Sequence, residues 1–143
     1  MFNYSPSAGL RELLGNALGC NAFTNYTYFW VDLYQNNHVP AFGDTFGDYL
    51  LCDFPGYSTI NLRSNQFAFL EFTITGECVF VYSSNPVWWQ NSGTEQVVFG
   101  YLVRSSQTGN VLWAEYFDSP IILKVNQQVR VTVQVNLGNL SGA

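Results

Sequence analysis

The clearest pattern of hydrophobic and polar positions runs from Val129 to Leu137. Apolar residues occupy every second position of this stretch. The polar residues between them are Arg130, Thr132, Gln134 and Asn136. A period of two places alternate side chains on opposite faces of a strand, one face buried and the other in water. The stretch therefore predicts an antiparallel strand that lies over a core.

Shorter stretches with the same period, bounded by turn residues, predict the other strands. They are Tyr26–Tyr34, Ser58–Leu62, Gln66–Thr75, Cys78–Tyr82, Gln96–Arg104, Val111–Phe117 and Ile121–Lys124. Gly76 and Gly109 lie in the short connections of two predicted hairpins. About eight strands at this spacing indicate an all-β fold, an antiparallel two-sheet sandwich of jelly-roll-like type.

The longer connections between these strands differ in character. Gln35–Gly47 is rich in Asn, Gly and Pro, and we expect it to cross from one sheet to the other. Asp48–Asp53 is compatible with a helical turn, and Ser83–Glu95 has the composition of a polar loop.

The N-terminal segment predicts one short amphipathic helix, about Ala8 to Leu18, after an irregular arm that ends at Pro6. Its apolar positions recur at helical spacing and Gly19 supplies a C-terminal stop. The chain then divides into an arm and helix at 1–19 and a β-sandwich domain at 20–143. Because so short a helix is marginal in water, it must pack on its own sheet or on a neighbour. We favour contact with a neighbouring subunit or a shell.

Composition changes this picture in one respect, the nature of the surface. The 143 residues suit one domain, and 48% hydrophobic residues suffice for a core. Charged residues are only 10%, whereas Phe, Tyr and Trp are 17%. Part of this aromatic surface should be covered by other chains, which predicts a homo-oligomer, and we favour a trimer. The candidate interface residues are Leu10, Leu13, Leu14, Leu18, Tyr26, Tyr28, Trp30 and Tyr34.

Charge and hydropathy argue against two classes of partner. The formal net charge is -5, and the cationic residues are spread singly along the chain, so we expect no binding to nucleic acid. No run of about eighteen apolar residues and no secretory signal pattern is visible, so we expect no membrane partner.

Candidate chemistry is sparse. His38 is the single histidine, and we interpret it as an exposed loop residue. Asp44, Asp48 and Asp53 form a spaced acidic cluster that we interpret as a solvated loop and not a calcium site. Two of the residues Glu71, Glu77 and Glu115 could form the carboxylate pair of a glycosidase, but a sequence does not define the distance between two carboxylates. We therefore expect no enzyme, no metal and no cofactor.

The cysteines Cys20, Cys52 and Cys78 are odd in number and lack C-x-x-C spacing. We interpret them as buried free thiols, which behave as small hydrophobic side chains.

The adjacent indoles of Trp88 and Trp89 leave two interpretations open. In an extended segment they point in opposite directions, so at least one lies near the surface. They can stack on a sugar ring beside Gln90 and Asn91, or they can fill the sandwich or a subunit interface. We favour the interface and keep both tryptophans as candidate surface or glycan contacts.

The order of elements along the chain is a leucine-rich N-terminal helix, a strand and long loop, and a closing hairpin before an alternating last strand. These stretches are Leu10–Gly19, Phe29–Tyr34, Asp53–Tyr57, Phe99–Val103 and Leu112–Phe117. With this pattern, most of the chain resembles small virion proteins of tailed bacteriophages. The segment Ser83–Glu95 has no counterpart in that pattern.

The resemblance implies a jelly-roll-like building block of a virion. Similar domains serve as capsid decoration (cement) proteins, often as trimers, and others serve in tail or fibre assemblies. The expected function is non-enzymatic stabilisation of a capsid through contacts with the major capsid protein and with copies of the chain itself. The expected location is the capsid surface of a virion assembled in the host cytoplasm. The alternative is a glycan-binding tail or fibre module.

Overall fold

The computed structural model describes residues 2–4, 28–63, 67–71, 81–84 and 86–136, and antiparallel strands dominate this part of the chain. The strands are β1 (Phe2–Tyr4), β2 (Tyr28–Tyr34), β3 (Ile60–Arg63), β4 (Phe67–Glu71), β5 (Val81–Ser84), β6 (Val87–Gln90), β7 (Gln96–Ser105), β8 (Val111–Leu123), β9 (Gln128–Val131) and β10 (Gln134–Asn136). A single 3-10 turn, Phe46–Asp48, is the helical element of these residues. The predicted all-β class is confirmed, whereas the predicted helix Ala8–Leu18 lies outside the described residues.

The largest sheet has five strands in the order β1-β8-β7-β2-β3. Two smaller sheets have the orders β10-β5-β4 and β6-β9. In the large sheet Val103 of β7 lies between Val31 of β2 and Trp113 of β8, so these three side chains share one face. We call this the inner face, and we call the opposite side of the sheet the outer face.

The main core lies between the inner face and the β6-β9 pair. Strands β2 and β7 contribute Phe29, Val31, Leu33, Val98, Tyr101 and Val103. Strands β6 and β9 contribute Val87, Trp89, Val129 and Val131. All of these side chains are buried, so the two layers exclude water from each other, and this burial is the largest favourable term in folding.

The predicted last strand Val129–Leu137 is divided in the structure. Its first part is β9, which pairs with β6, and its second part is β10, which pairs with β5 in another sheet. Val129, Val131 and Val133 are all buried on the way. The alternation of apolar residues therefore persists across the break, because it reports which side faces the core and not which strand is the neighbour.

Three strand pairs are nested around one turn. Strand β7 pairs with β8, β6 with β9, and β5 with β10, so the chain from 81 to 136 runs as one antiparallel ribbon with breaks. The turn at its closed end contains Gly109 with φ of +78°, and the Ser105 hydroxyl accepts hydrogen bonds from two backbone N–H groups of the turn. The predicted hairpin of β7 and β8 is confirmed.

One break in the ribbon is held by Asn91, whose side chain is fully buried. Its amide nitrogen donates to the carbonyl oxygens of Thr94 at 2.7 Å and Leu123 at 3.0 Å, and its amide oxygen accepts from the N–H of Gly93. The backbone N–H of Asn91 also donates to Gln127. Where the ribbon bends, strand pairing is interrupted and backbone groups lose their partners. The buried carboxamide of Asn91 bonds to three of these groups instead.

Two predicted boundaries are wrong. The segment Ser83–Glu95 is not a loop throughout, because it contains the end of β5 and all of β6. The predicted strands Val111–Phe117 and Ile121–Lys124 are one strand, β8. Pro120 does not end it, since the β7-β8 register shifts between Val98 and Gly100, and a proline is tolerated where the ladder is interrupted.

Part of the predicted irregular arm is a strand. Phe2–Tyr4 form the edge strand β1, and Phe2 and Tyr4 lie opposite Tyr116 and Ala114 of β8. The pairing satisfies backbone groups along an otherwise open edge of the sheet. Three residues are too few for a periodic pattern, so the sequence offered no signal for this strand.

A buried ion pair links β2 to β7 on the outer face. Asp32 has 0% exposure and accepts hydrogen bonds from Nε and Nη2 of Arg104 at 3.1 and 2.9 Å. Its other oxygen accepts from the hydroxyls of Tyr57 and Thr59. The Arg104 guanidinium also lies over the Phe46 ring, 4.0 Å from the centroid. The carboxylate therefore joins two strands to the segment that precedes β3.

We expect Arg104→Met to lower the free energy of unfolding by about 3 kcal/mol, because it leaves a buried carboxylate without its cation. Denaturant unfolding monitored by tryptophan fluorescence measures the change. The exposed Lys124→Met is the matched control. The double variant Asp32→Asn with Arg104→Met should recover part of the loss, since it removes the unpaired charge. Equal stability of Arg104→Met and Lys124→Met would contradict a structural role for the pair.

Candidate functional site

The connection after β2 covers the outer face of the five-stranded sheet. Tyr34 and Leu102 of the sheet pack with Tyr49 of the connection in a second, smaller core, and Leu51 lies against them. Residues 35–51 therefore do not simply bridge two strands. They form a layer on the side of the sheet opposite β6 and β9.

Backbone and amide hydrogen bonds close this connection into a loop with fixed ends. The N–H of Gln35 donates to the carbonyl of Leu50 at 2.8 Å. The Asn36 side chain donates to the carbonyl of Asp48 and accepts from the N–H of Leu50, each at 2.9 Å. The N–H of Cys52 donates to the carbonyl of Leu33. The two ends of the loop are thereby joined beside β2.

The tip of the loop is organised by Asp44, which is 7% exposed. One of its carboxylate oxygens, Oδ2, accepts from the backbone N–H of Ala41 at 2.8 Å and from the hydroxyl of Tyr49 at 2.7 Å. The same oxygen lies 2.7 Å from Nε2 of His38. The His38 ring meets the Tyr49 ring edge-on at 5.0 Å. The tip thus closes around one carboxylate oxygen.

Burial and hydrogen bonding act in opposite directions on the Asp44 carboxyl. Burial favours its protonated form, but the hydrogen bonds from His38, Ala41 and Tyr49 stabilise the charged form more, and the pKa of Asp44 falls below its usual value. Burial and the neighbouring carboxylate raise the pKa of Tyr49. Tyr49 therefore stays a hydroxyl donor, and the carboxylate stays ionised at neutral pH.

The His38 and Asp44 pair has the residue types of an acid-base dyad, and its described contacts lie within the loop and beside Tyr34. Three donors converge on one carboxylate oxygen, and the contacts that the structure gives His38 fix the loop. The Tyr34 hydroxyl also donates to the carbonyl of His38 at 3.1 Å. His38 is half-buried, which corrects the interpretation of a freely exposed loop histidine.

The ordered loop presents apolar side chains to solvent. We call this set the apolar loop surface. Its members are Val39 (48% exposed), Phe42 (53%), Phe46 (36%) and Leu50 (58%). Phe42 lies in the turn that the hydrogen bond from Asp44 N–H to Ala41 carbonyl closes. Because exposed apolar patches mark interaction surfaces, these side chains make the loop a candidate contact surface.

Only some of the predicted interface residues on β2 are exposed to solvent. Tyr28 is 38% exposed, but Trp30 is half-buried with its ring beside Arg104, and Tyr34 has 0% exposure. The expectation that Tyr34 is an interface residue is wrong, because the loop covers it. Its ring lies across Gly100, where an added Cβ would come within 2.7 Å of it. The other candidates, Leu10, Leu13, Leu14, Leu18 and Tyr26, lie outside the described residues.

The two adjacent tryptophans point to opposite sides of β6. Trp88 is 53% exposed, whereas Trp89 is 2% exposed, as the alternation predicts. Trp89 donates its indole N–H to the carbonyl of Ser58 at 2.8 Å and stacks on Tyr57. It is therefore a core residue and not a surface contact, because its side of β6 faces the inner face of the sheet.

The remaining candidates for chemistry are dispersed. Asp48 accepts from the N–H of Thr45, and Asp53 from the amide of Gln96. Asp44 is buried, whereas Asp48 and Asp53 are exposed, so the interpretation as a solvated loop is wrong for Asp44 alone. Among the described residues no three acidic, histidine or cysteine side chains converge as metal ligands. Glu115 is buried on β8, and burial raises its pKa.

Cys52 is a buried free thiol, as predicted, and burial together with Asp53 and Asp32 raises its pKa to about 12. Cys20 and Cys78 lie outside the described residues.

The sequence pattern does not predict the apolar loop surface. Val39, Phe42 and Phe46 lie in the predicted connection Gln35–Gly47, and Leu50 lies in the predicted helical turn Asp48–Asp53. Their spacing of three, four and four residues matches a helical period, but the Pro and Gly residues between them argue against a helix. Their signal was the presence of large apolar residues among Asn, Gly and Pro, which local patterns cannot assign to the interior or the surface.

Comparisons with known proteins leave the site to be judged on its geometry. No protein-family model, curated protein or solved structure matches the chain. Within the described ranges, no helix has the length and hydropathy needed to span a membrane.

We expect Asp44→Asn to lower the free energy of unfolding by about 1–2 kcal/mol near pH 7, because it weakens three hydrogen bonds to a buried oxygen. The folded pKa of Asp44 lies below its ordinary value of 3.8, so its stabilising contribution is complete above that value. It is lost as the pH falls through the folded pKa. The difference between the two proteins should therefore shrink as the pH falls below 3.8 and through the folded pKa.

Denaturant unfolding at a series of pH values measures this effect. Glu95→Gln is the matched control, since Glu95 is an exposed carboxylate. A stability difference for Asp44→Asn that is the same at neutral and acid pH would show that the charge of Asp44 does not stabilise the loop.

Proposed function

We propose that this chain is a non-enzymatic structural protein of a bacteriophage virion, a capsid decoration (cement) protein that stabilises the shell through protein-protein contacts. The observation that carries the proposal is the apolar loop surface, held in a fixed conformation on the outer face. The resemblance to small virion proteins in Leu10–Gly19, Phe29–Tyr34 and the later stretches supports the same assignment.

The strand pairing supports a jelly-roll-like sandwich as the fold of this protein. A jelly roll is a long antiparallel hairpin wound into two layers. The nested pairs β7-β8, β6-β9 and β5-β10 follow that arrangement, and the main core lies between the five-stranded sheet and the β6-β9 pair. Domains of this type serve as repeated units in shells because their loops vary while the layers stay rigid.

The fixed conformation of the loop favours a role in assembly over a role as a connection between two strands. Binding through a flexible segment costs conformational entropy, whereas a loop fixed by Asn36 and Asp44 is ordered before it binds. Phe42 and Leu50 are more than half exposed, so burial of each against a partner removes apolar area from water. The partners in this proposal are the major capsid protein and other copies of the chain in a homotrimer.

Cryo-electron microscopy of the source virion tests the assignment directly. We expect density for this chain on the outer surface of the capsid, with residues 39–50 against the shell or a neighbouring copy. Density confined to tail appendages would exclude the cement role.

The loop variant Phe42→Ser with Leu50→Ser should keep the unfolding midpoint of the wild type, because both side chains are solvent-exposed. We expect it to lose binding to capsids that lack the protein, measured by co-sedimentation. The control is Val125→Ser, which removes an exposed apolar side chain outside the loop. Retained binding of the double variant would exclude the loop as the contact surface.

Light scattering of the purified protein at micromolar concentration tests self-association. We expect the mass of three chains for the wild type and a lower mass for the double loop variant if the loop lies between copies. A trimer that both proteins form equally would exclude the loop as the subunit contact. A monomeric wild type that also fails to bind capsids would remove the proposal.

A further inference from the structure

The β6-β9 pair has an outer surface with a distinct composition. The register pairs Trp88 with Arg130 and Gln90 with Gln128, and all four residues are exposed. Their neighbours Val87, Trp89, Val129 and Val131 point the other way, into the main core. We call the four exposed residues the Trp88 face.

No hydrogen bond or ion pair joins the side chains of the Trp88 face to the part of the chain that the structure describes. Trp89, by contrast, has a partner for its indole N–H, and Arg104 has Asp32. The Trp88 face therefore carries an indole, two carboxamides and a guanidinium whose polar groups face water.

The strands beneath hold this face in place. Trp89 donates to the carbonyl of Ser58 at 2.8 Å and stacks on Tyr57 with an interplanar angle of 10°. The buried Asn91 bonds to Leu123 where the ribbon bends, directly after β6. The exposed side chains of β6 and β9 thus project from a fixed two-stranded ladder, which lowers the entropic cost of binding.

The dimensions and chemistry of the face suit one sugar ring. Side chains directly opposite each other on paired strands are about 5 Å apart, and alternate residues along a strand are about 7 Å apart. An indole presents a flat apolar surface, and carboxamides both donate and accept hydrogen bonds, as hydroxyl recognition requires. A protein interface would instead need an apolar centre, but the other three residues here are polar.

We propose that the Trp88 face binds a carbohydrate. A pyranose ring stacks on the indole of Trp88, while its hydroxyl groups bond to the side chains of Gln90 and Gln128. Arg130 donates to a further hydroxyl or to the carboxylate of an acidic sugar. A nucleic acid does not fit, since the chain has a net charge of -5 and this face offers one cation.

This inference goes beyond the assembly role and does not depend on it. The apolar loop surface lies on the outer face of the five-stranded sheet, whereas β6 and β9 pack on the inner face. The two surfaces are therefore on opposite sides of the sheet. A copy that docks through its loop leaves the Trp88 face open to solvent.

The test uses the full-length protein and an array of neutral and acidic oligosaccharides, followed by calorimetric titration of the glycans that bind. We expect wild-type binding that Trp88→Ala weakens at least about tenfold, the effect of removing a central aromatic contact. Gln90→Ala should weaken binding to neutral and acidic glycans alike. Arg130→Gln should selectively weaken the binding of acidic glycans if the guanidinium contacts a carboxylate.

The matched control is Ile122→Ala, which removes an exposed apolar side chain that is not part of the face. Thermal unfolding of each variant checks that the fold is retained. The proposal is overturned if the wild type binds no glycan at about millimolar concentration, or if Trp88→Ala binds as the wild type does. Loss of capsid binding in the Phe42 and Leu50 variant with glycan binding intact would separate the two functions.

Discussion

The buried carboxylate of Asp32 is the constraint on which the outer half of this protein depends. A charge with no exposure must be fully hydrogen-bonded, and two separate segments of the chain provide the donors. Arg104 comes from β7, and Tyr57 and Thr59 from the segment before β3. The Tyr57 hydroxyl also accepts from the backbone N–H of Leu33, where β2 extends past the end of β3. Satisfying one carboxylate thus fixes the path by which the connection returns to the sheet.

That path gives the two sides of the five-stranded sheet different roles. On the inner face, aliphatic and aromatic side chains meet β6 and β9 in a continuous core. On the outer face, the loop is held by polar contacts around Asp44 and Asn36, so its apolar residues need not be buried to keep it ordered. The apolar loop surface is therefore available to a partner without loss of the fold, and the Trp88 face remains independent of it.

The contacts of His38 show a residue pair that is common in catalytic sites holding a loop together. A histidine beside a carboxylate is a common arrangement in catalytic sites. Here the same carboxylate oxygen also accepts from Ala41 and Tyr49, and each of these bonds closes part of one loop. The described contacts of this pair thus hold the loop in its conformation.

The sequence by itself determined the all-β class, the hairpin of β7 and β8, the opposite directions of Trp88 and Trp89, and the free thiol of Cys52, because each follows from local periodicity or composition. Only the tertiary structure decided which strands are neighbours. The valine pattern from Val129 is uninterrupted, yet its strand changes partner from β6 to β5, since alternation records burial and not pairing. The burial of Tyr34 and the exposure of Phe42 and Leu50 were likewise decided in three dimensions. They depend on hydrogen bonds from residues distant in the chain, which fold a connection over the sheet, and no local pattern encodes such contacts.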